Sequence, residues 1–253
     1  MKKVMMLLMI VSVFSLYSTA QTQIIAHRGA WKNTKAPQNS LASLKHAIMQ
    51  KMWGSEFDIH FTKDDVLVVN HDHDFYGINI ATSTYEELLA KKHPNGEKIP
   101  TAEEYLKEGL KQKNTKLIFE LKSSKLGKER TLQSAEHAVA LVKKLKAQKR
   151  VEYIAFDYDA CLKIRELDKK AKVHYLNGDK SPVQLKEAGL NGFDYHFSVL
   201  KKNPTWIQEA KDLKLKSNVW TVNTEADMKY FIERKIDYIT TDEPELLKSL
   251  LEK

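Results

Sequence analysis

The chain has 253 residues, 29% charged and 42% hydrophobic, a balance that excludes a disordered polyelectrolyte and suits one large globular domain. Its formal net charge is +8, but the lysines are spread along helical segments as a solvated surface, so nucleic acid is not an expected partner and an anionic small molecule fits the charge equally well. The single cysteine, Cys161, excludes an intrachain disulfide and any all-cysteine metal site.

Residues 1–20 run from two lysines through an apolar stretch to small residues before Gln21. This pattern predicts a secretory signal cleaved after Ala20, with no cysteine beside the cut to carry a lipid and no membrane span left in the mature chain. The mature chain, 21–253, is then an exported protein, with the bacterial periplasm as the favoured destination and full secretion as the alternative. No linker rich in Pro, Gly or Ser divides it.

Short β-branched runs predict strands at 23–26, 55–59, 66–70, 116–121, 152–156, 172–175, 193–196, 217–221 and 237–239. Helical patterns fall at 40–51, 102–111, 130–147, 159–169, 182–188, 205–213 and 225–234. Thr101 with Glu104 reads as a capping box, and Ser181-Pro182 as a cap followed by proline in the first turn. This βαβ rhythm predicts a parallel sheet covered by helices. Nine strands are one more than an eight-stranded barrel needs, so either 66–70 or 237–239 is peripheral. A doubly wound open sheet is the rival, but the chain has no Gly-rich phosphate loop, and its chemistry-bearing residues sit at the ends of many strands.

Glu56 and Asp58 are two apart on a predicted strand and point to the same side. Adjacent carboxylates repel unless a proton or cation lies between them, and oxygen ligands suit a hard ion such as Mg²⁺ or Ca²⁺. His27 ends the first apolar run, and His71 ends the run after Asp58. Two histidines and a carboxylate pair are the parts needed to cut a phosphodiester. The cluster His71-Asp72-His73-Asp74 looks metal-binding in isolation, but such spacing is common in loops.

The stretches His27-Arg-Gly29, Ala36-Pro-Gln-Asn-Ser40, Glu56-Phe-Asp58, His71-Asp72, Glu120-Leu-Lys122, Trp220-Thr-Val-Asn223 and Tyr238 to Pro244 together resemble the glycerophosphodiester phosphodiesterases. These belong to the phospholipase-C-like phosphodiesterases with a TIM (β/α)8 barrel. The resemblance implies an α/β barrel that hydrolyses glycerophosphodiesters to sn-glycerol 3-phosphate and an alcohol with one divalent cation. It assigns the cation to Glu56, Asp58 and Glu120, and general acid/base roles to His27 and His71 without deciding which does which. Arg28 and Lys122 would hold phosphate, and Gly29 would permit a tight turn near it. Trp220 would contact substrate; Phe156 and Tyr175, at analogous strand ends, are either an apolar wall for the glycerol carbons or barrel-end packing. The nucleophile is water or the substrate's own 2-hydroxyl. Two positions depart from the family: Gln38 stands where glutamate is usual, and Asp65 where glycine is usual. The insertion at 72–96 is short, with 84–89 as a brief helix, which predicts an open mouth tolerant of varied alcohols. Release of an inositol phosphate, or action on a lysophospholipid or sphingolipid, is the neighbouring enzymatic alternative; a retired barrel that only binds phosphodiesters is the non-enzymatic one.

Overall fold

The computed structural model describes residues 21–252, and the predicted secretory signal lies outside them. The strands are β1 (Gln23–Ala26), β2 (Gly54–Phe61), β3 (Leu67–Val69), β4 (Asp74–Phe75), β5 (Ile78–Asn79), β6 (Lys116–Leu121), β7 (Val151–Ala155), β8 (Val173–Tyr175), β9 (Gly192–His196), β10 (Lys216–Trp220) and β11 (Tyr238–Thr241). The helices are α1 (Leu41–Met49), α2 (Tyr85–Leu88), α3 (Ala102–Gly109), α4 (Lys128–Lys144), α5 (Tyr158–Leu167), α6 (Pro182–Glu187), α7 (Phe197–Lys202), α8 (Trp206–Asp212), α9 (Glu225–Glu233) and α10 (Pro244–Leu251). The β4–β5 hairpin, α7 and α10 are additional to the elements expected from periodicity. Among the described residues no helix is long and apolar enough to cross a membrane.

Eight parallel strands run β1-β11-β10-β9-β8-β7-β6-β2, and β1 pairs with β2 to close the barrel. The surplus strand is β3, which runs antiparallel to β2 with Ile59 opposite Val69. The 237–239 segment belongs to the barrel: β11 pairs with β1 along Gln23↔Tyr238 to Ala26↔Thr241. The fold is therefore the TIM barrel, with its helices outside.

Strand periodicity sorts the side chains. Phe57, Ile59, Phe119, Leu121, Tyr153, Val173, Tyr175, Phe193, Tyr195, Val219 and Ile239 face the helices and form the main buried core. Phe57 stacks on Tyr105 of α3 at 4.4 Å between ring centroids. The alternate residues turn inward, where Ile25, Ile118, Ile154, Leu176 and Tyr238 make a separate buried cluster flanked by Trp53 and Trp220. One inward step further along their strands come His27, Glu120 and Phe156, so chemistry-bearing residues lie above an apolar plug at the C-terminal mouth.

Local chemistry fixes the connections. The Thr101 hydroxyl accepts from the Glu104 N–H at 3.1 Å while the Glu104 carboxylate accepts from the Thr101 N–H at 3.0 Å, so the expected capping box closes. Ser181 and Gln184 do the same for α6, with Pro182 in its first turn. Gly29 has φ +81°, and a Cβ there would fall 2.5 Å from Ser43 Oγ. Close packing against α1, rather than approach of a ligand, is what requires glycine. Asp65 keeps a left-handed turn at φ +64° and pairs with Arg130 at 2.6 Å. Residues 72–96 carry the β4–β5 hairpin and α2, whose Phe75, Ile80 and Leu88 pack with Val68 and Ile99 as a small core of their own.

Candidate active site

Glu56, Asp58 and His60 are the inward residues of β2, and register carries the chemistry to its neighbours. Asp58 is the direct partner of Glu120 on β6, and Ser55 of Ala26 on β1, so His27 and Arg28 emerge beside Glu56. One oxygen from each of Glu56, Asp58 and Glu120 lies within 4.8 Å of the others. All three side chains are buried.

Their surroundings differ. Glu56 Oε2 accepts from the Arg28 N–H at 2.8 Å, but Oε1 is buried without a partner. Burial, then the charges of Asp58 and Glu120, raise its pKa well above the carboxylate range. Glu120 is pushed up to about 7, by burial first and the Asp58 charge second. Burial also works against ionisation of Asp58, but Lys122, His71, Arg28 and the Asn39 hydrogen bond outweigh it and hold its pKa below the ordinary value. Asn39 grips Asp58 twice: its Nδ2 donates to Oδ2 at 2.8 Å, and its Oδ1 accepts from the Asp58 N–H at 3.0 Å.

Lys122 Nζ sits 2.7 Å from Glu120 and 3.1 Å from Asp58. Arg28 Nε is 3.7 Å from Asp58, and its Nη1 donates to Gln38 Oε1 at 2.6 Å. Gln38 thus supports the arginine as a neutral acceptor.

The histidines occupy different settings. His27 Nδ1 meets Asp242 Oδ1 at 2.7 Å, and Asn223 Nδ2 donates to Asp242 Oδ2 at 2.8 Å. Asn223 is itself fixed, since its Oδ1 accepts from the Asp242 N–H and the Thr241 hydroxyl at 2.9 and 3.1 Å. His71 Nδ1 meets Asp72 at 2.8 Å, but Asp72 is 75% exposed. Burial lowers the His71 pKa despite the Asp58 charge. His60 Nε2 contacts the His71 carbonyl at 3.0 Å, and burial drives the His60 pKa down to about 4, so a neutral ring braces the loop.

A cavity of about 140 Å³ brings together His27, Arg28, Glu56, Asp58, His71, Glu120, Lys122, Phe156 and Trp220. Nine of the ten residues expected from sequence meet there. Tyr175 does not: it is buried on the helix side of β8, with ring contacts to Tyr158 and Tyr195 at 5.2 and 6.3 Å. The correction follows from strand alternation, which turns Leu176 inward in its place. Phe156 meets Trp220 edge to face at 5.6 Å and is 37% exposed at the rim. Sequence reasoning missed Asp242, although Tyr238 to Pro244 carried it. It also missed Asp194, the inward residue of β9 that lines the same cavity.

Beside this cavity runs an open groove of about 540 Å³ that shares Arg28 and His71 and is walled by Trp31, Phe75, Tyr76 and His93. It is the larger hollow, but the titratable groups converge in the smaller one.

The model of the glycerophosphoryl diester phosphodiesterase family matches residues 27–246. The chain belongs to that family. It is therefore a phosphodiesterase acting on glycerophosphodiesters, and the matched span runs from the first histidine through the closing strand. A glycerophosphodiester phosphodiesterase of Caldanaerobacter subterraneus subsp. tengcongensis is 28% identical, with 92% of this chain and 99% of the relative aligned. A crystal structure of a glycerophosphodiester phosphodiesterase from Parabacteroides distasonis is 47% identical with a TM-score of 0.90, covering 92% of this chain and 98% of that one. An Oleispira antarctica phosphodiesterase, solved in complex with the product sn-glycerol-3-phosphate, shares the fold at 22% identity and a TM-score of 0.79, over 92% and 98% of the two chains.

Proposed function

We propose that the protein hydrolyses glycerophosphodiesters to sn-glycerol 3-phosphate and an alcohol, using one divalent cation, Mg²⁺ or Ca²⁺, held by Glu56, Asp58 and Glu120. The observation that carries the reading is the buried carboxylate trio gathered with His27 around one cavity of about 140 Å³. Two of the three carboxyls have raised pKa values, and Glu56 Oε1 has no partner. A hard cation answers both deficits. It would supply charge compensation for a phosphate oxygen as negative charge develops.

The side chains supply the rest. Arg28 and Lys122 bind phosphate beside the trio. Asp242 accepts a hydrogen bond from His27 Nδ1–H, which leaves the Nε2 lone pair facing the cavity, so His27 is the general base. His71, which lines both the inner cavity and the open groove, takes the complementary role and protonates the departing alkoxide. That groove receives the alcohol, and its width supports tolerance for varied head groups. Trp220 and Phe156 exclude water from the glycerol side. The predicted signal at 1–20 adds an export step, with the periplasm as the working compartment; N-terminal sequencing of protein from fractionated cells tests it.

Metal-stripped protein, resupplied separately with Mg²⁺ and Ca²⁺, is incubated with glycerophosphocholine and glycerophosphoinositol, and the phosphorus-containing product is identified. Cation-dependent sn-glycerol 3-phosphate is expected. Inositol phosphate or phosphocholine would place the scissile bond on the other side of phosphorus and overturn the reading.

A further inference from the structure

Asp194 is an acid that the reaction described above leaves without a task. It is 1% exposed, lines the inner cavity, and its Oδ1 has no hydrogen-bond partner. Burial, then the charge of Glu120, pushes its pKa well up, and an Asn218 hydrogen bond offsets only part of that. A carboxyl left unpaired in a dry wall is costly, and a ligand that donates a hydrogen bond removes the cost.

Its position says which part of a ligand that is. In the barrel order β2-β6-β7-β8-β9, β9 stands four strands from β2, diametrically opposite Glu56 and Asp58. Asp194 is therefore outside the three-carboxylate cluster and faces it across the cavity. Between the two walls, one side of the lining is apolar, with Ile154, Phe156, Leu176 and Trp220, while Thr221 and Thr240 line the other. The Trp220 indole donates to the Asp194 carbonyl at 2.9 Å, which ties the apolar wall to the acid. A substrate with its phosphate against Arg28 and Lys122 lays its carbon atoms along this lining. The group farthest from phosphorus then arrives at β9.

We infer that Asp194 is a specificity-determining residue whose carboxyl binds the terminal hydroxyl of the substrate's glycerol, selecting diesters whose three-carbon half ends in a free hydroxyl. This rests on the glycerophosphodiesterase reading and deepens it. An acyl chain on that oxygen removes the donor and overfills a cavity of about 140 Å³, so a 1-acyl lysophospholipid is rejected. The 2-hydroxyl lies beside the phosphate and is not the contact.

The test compares glyceryl p-nitrophenyl phosphate with 2-hydroxypropyl p-nitrophenyl phosphate, which differ only in the terminal hydroxyl, with glycerophosphocholine as a control. A site built to hydrogen-bond a hydroxyl penalises its loss, here by roughly tenfold to hundredfold in kcat/KM for the wild-type protein. Asp194→Ala is expected to bring the ratio of the two substrates to within about threefold of unity, an interaction read as a cycle. Asp194→Asn, which keeps an acceptor and the shape, should lie between. A variant ratio equal to that of the wild type overturns the inference. So does a wild-type protein that turns over both aryl esters equally, a result that needs no variant to fold. Failure of the underlying reading looks different: the wild type would leave glycerophosphocholine intact while cleaving both aryl esters.

Discussion

Asp242→Asn is the sharpest perturbation of the proposed base. The wild-type carboxylate faces two donors, His27 Nδ1 at 2.7 Å and Asn223 Nδ2 at 2.8 Å. An asparagine amide cannot accept from both. If its oxygen faces Asn223, its NH2 faces His27, and the imidazole must accept at Nδ1 and carry its proton on Nε2, which removes the lone pair from the cavity. If its oxygen faces His27, two NH2 groups confront each other, and Asn223 cannot flip because its Oδ1 already accepts from Thr241 and the Asp242 N–H. The lost interaction is charge-assisted and mostly buried, with 16% and 19% side-chain exposure. A contact of that kind contributes about 1.5–3 kcal/mol, so kcat should fall by roughly 10- to 150-fold. The wrong tautomer deepens the loss towards the upper end. The assay is steady-state release of sn-glycerol 3-phosphate at saturating cation, alongside cation affinity by calorimetry and Tm. A kcat within about threefold of wild type would refute the reasoning, as would a loss fully explained by weaker cation binding.

Three further expectations follow from the same geometry. Glu56→Gln removes an acid with an orphaned oxygen; in metal-stripped protein Tm should rise, by on the order of 1 kcal/mol in stability, while the cation-induced Tm shift and turnover disappear. Glu120, raised to about 7, holds a proton in the folded metal-free protein that the unfolded chain releases near pH 4.5. Metal-free stability should thus fall as pH rises from about 4.5 to 7, by at most about 3 kcal/mol, and apparent cation affinity should climb through the same window; Tm scans with and without cation at pH 5 and pH 8 check both signs. Tyr175→Phe should leave kcat/KM within about twofold and cost about 1 kcal/mol of stability, whereas Trp220→Ala, which opens the inner cavity wall, should lower kcat/KM at least tenfold on the same substrate.

Local periodicity made much of the molecule readable. The spacing of Glu56 and Asp58 put both on one side of a strand before any fold was known, and the barrel confirms that side as the inward one. The same parity, applied to β8 and β9, would have excluded Tyr175 and selected Leu176 and Asp194. Residue type at a strand end is a weaker guide than its place in the alternation. The helix starts at Thr101 and Ser181 were equally legible, because a cap is made by residues three apart.

The chain alone thus determined the strand and helix rhythm, which residues share a strand face and the chemical types set along it, since those depend on neighbours within a few residues. Barrel closure decided the rest. It chose β3 rather than β11 as the peripheral strand, joined His27 to Asp242 across 215 residues, and set Asn39 against Asp58. It also placed Asp194 opposite the carboxylate trio. Such pairs form only when β1 hydrogen-bonds both β2 and β11, and the burial that shifts Glu56, Glu120 and Asp194 exists only inside the closed ring.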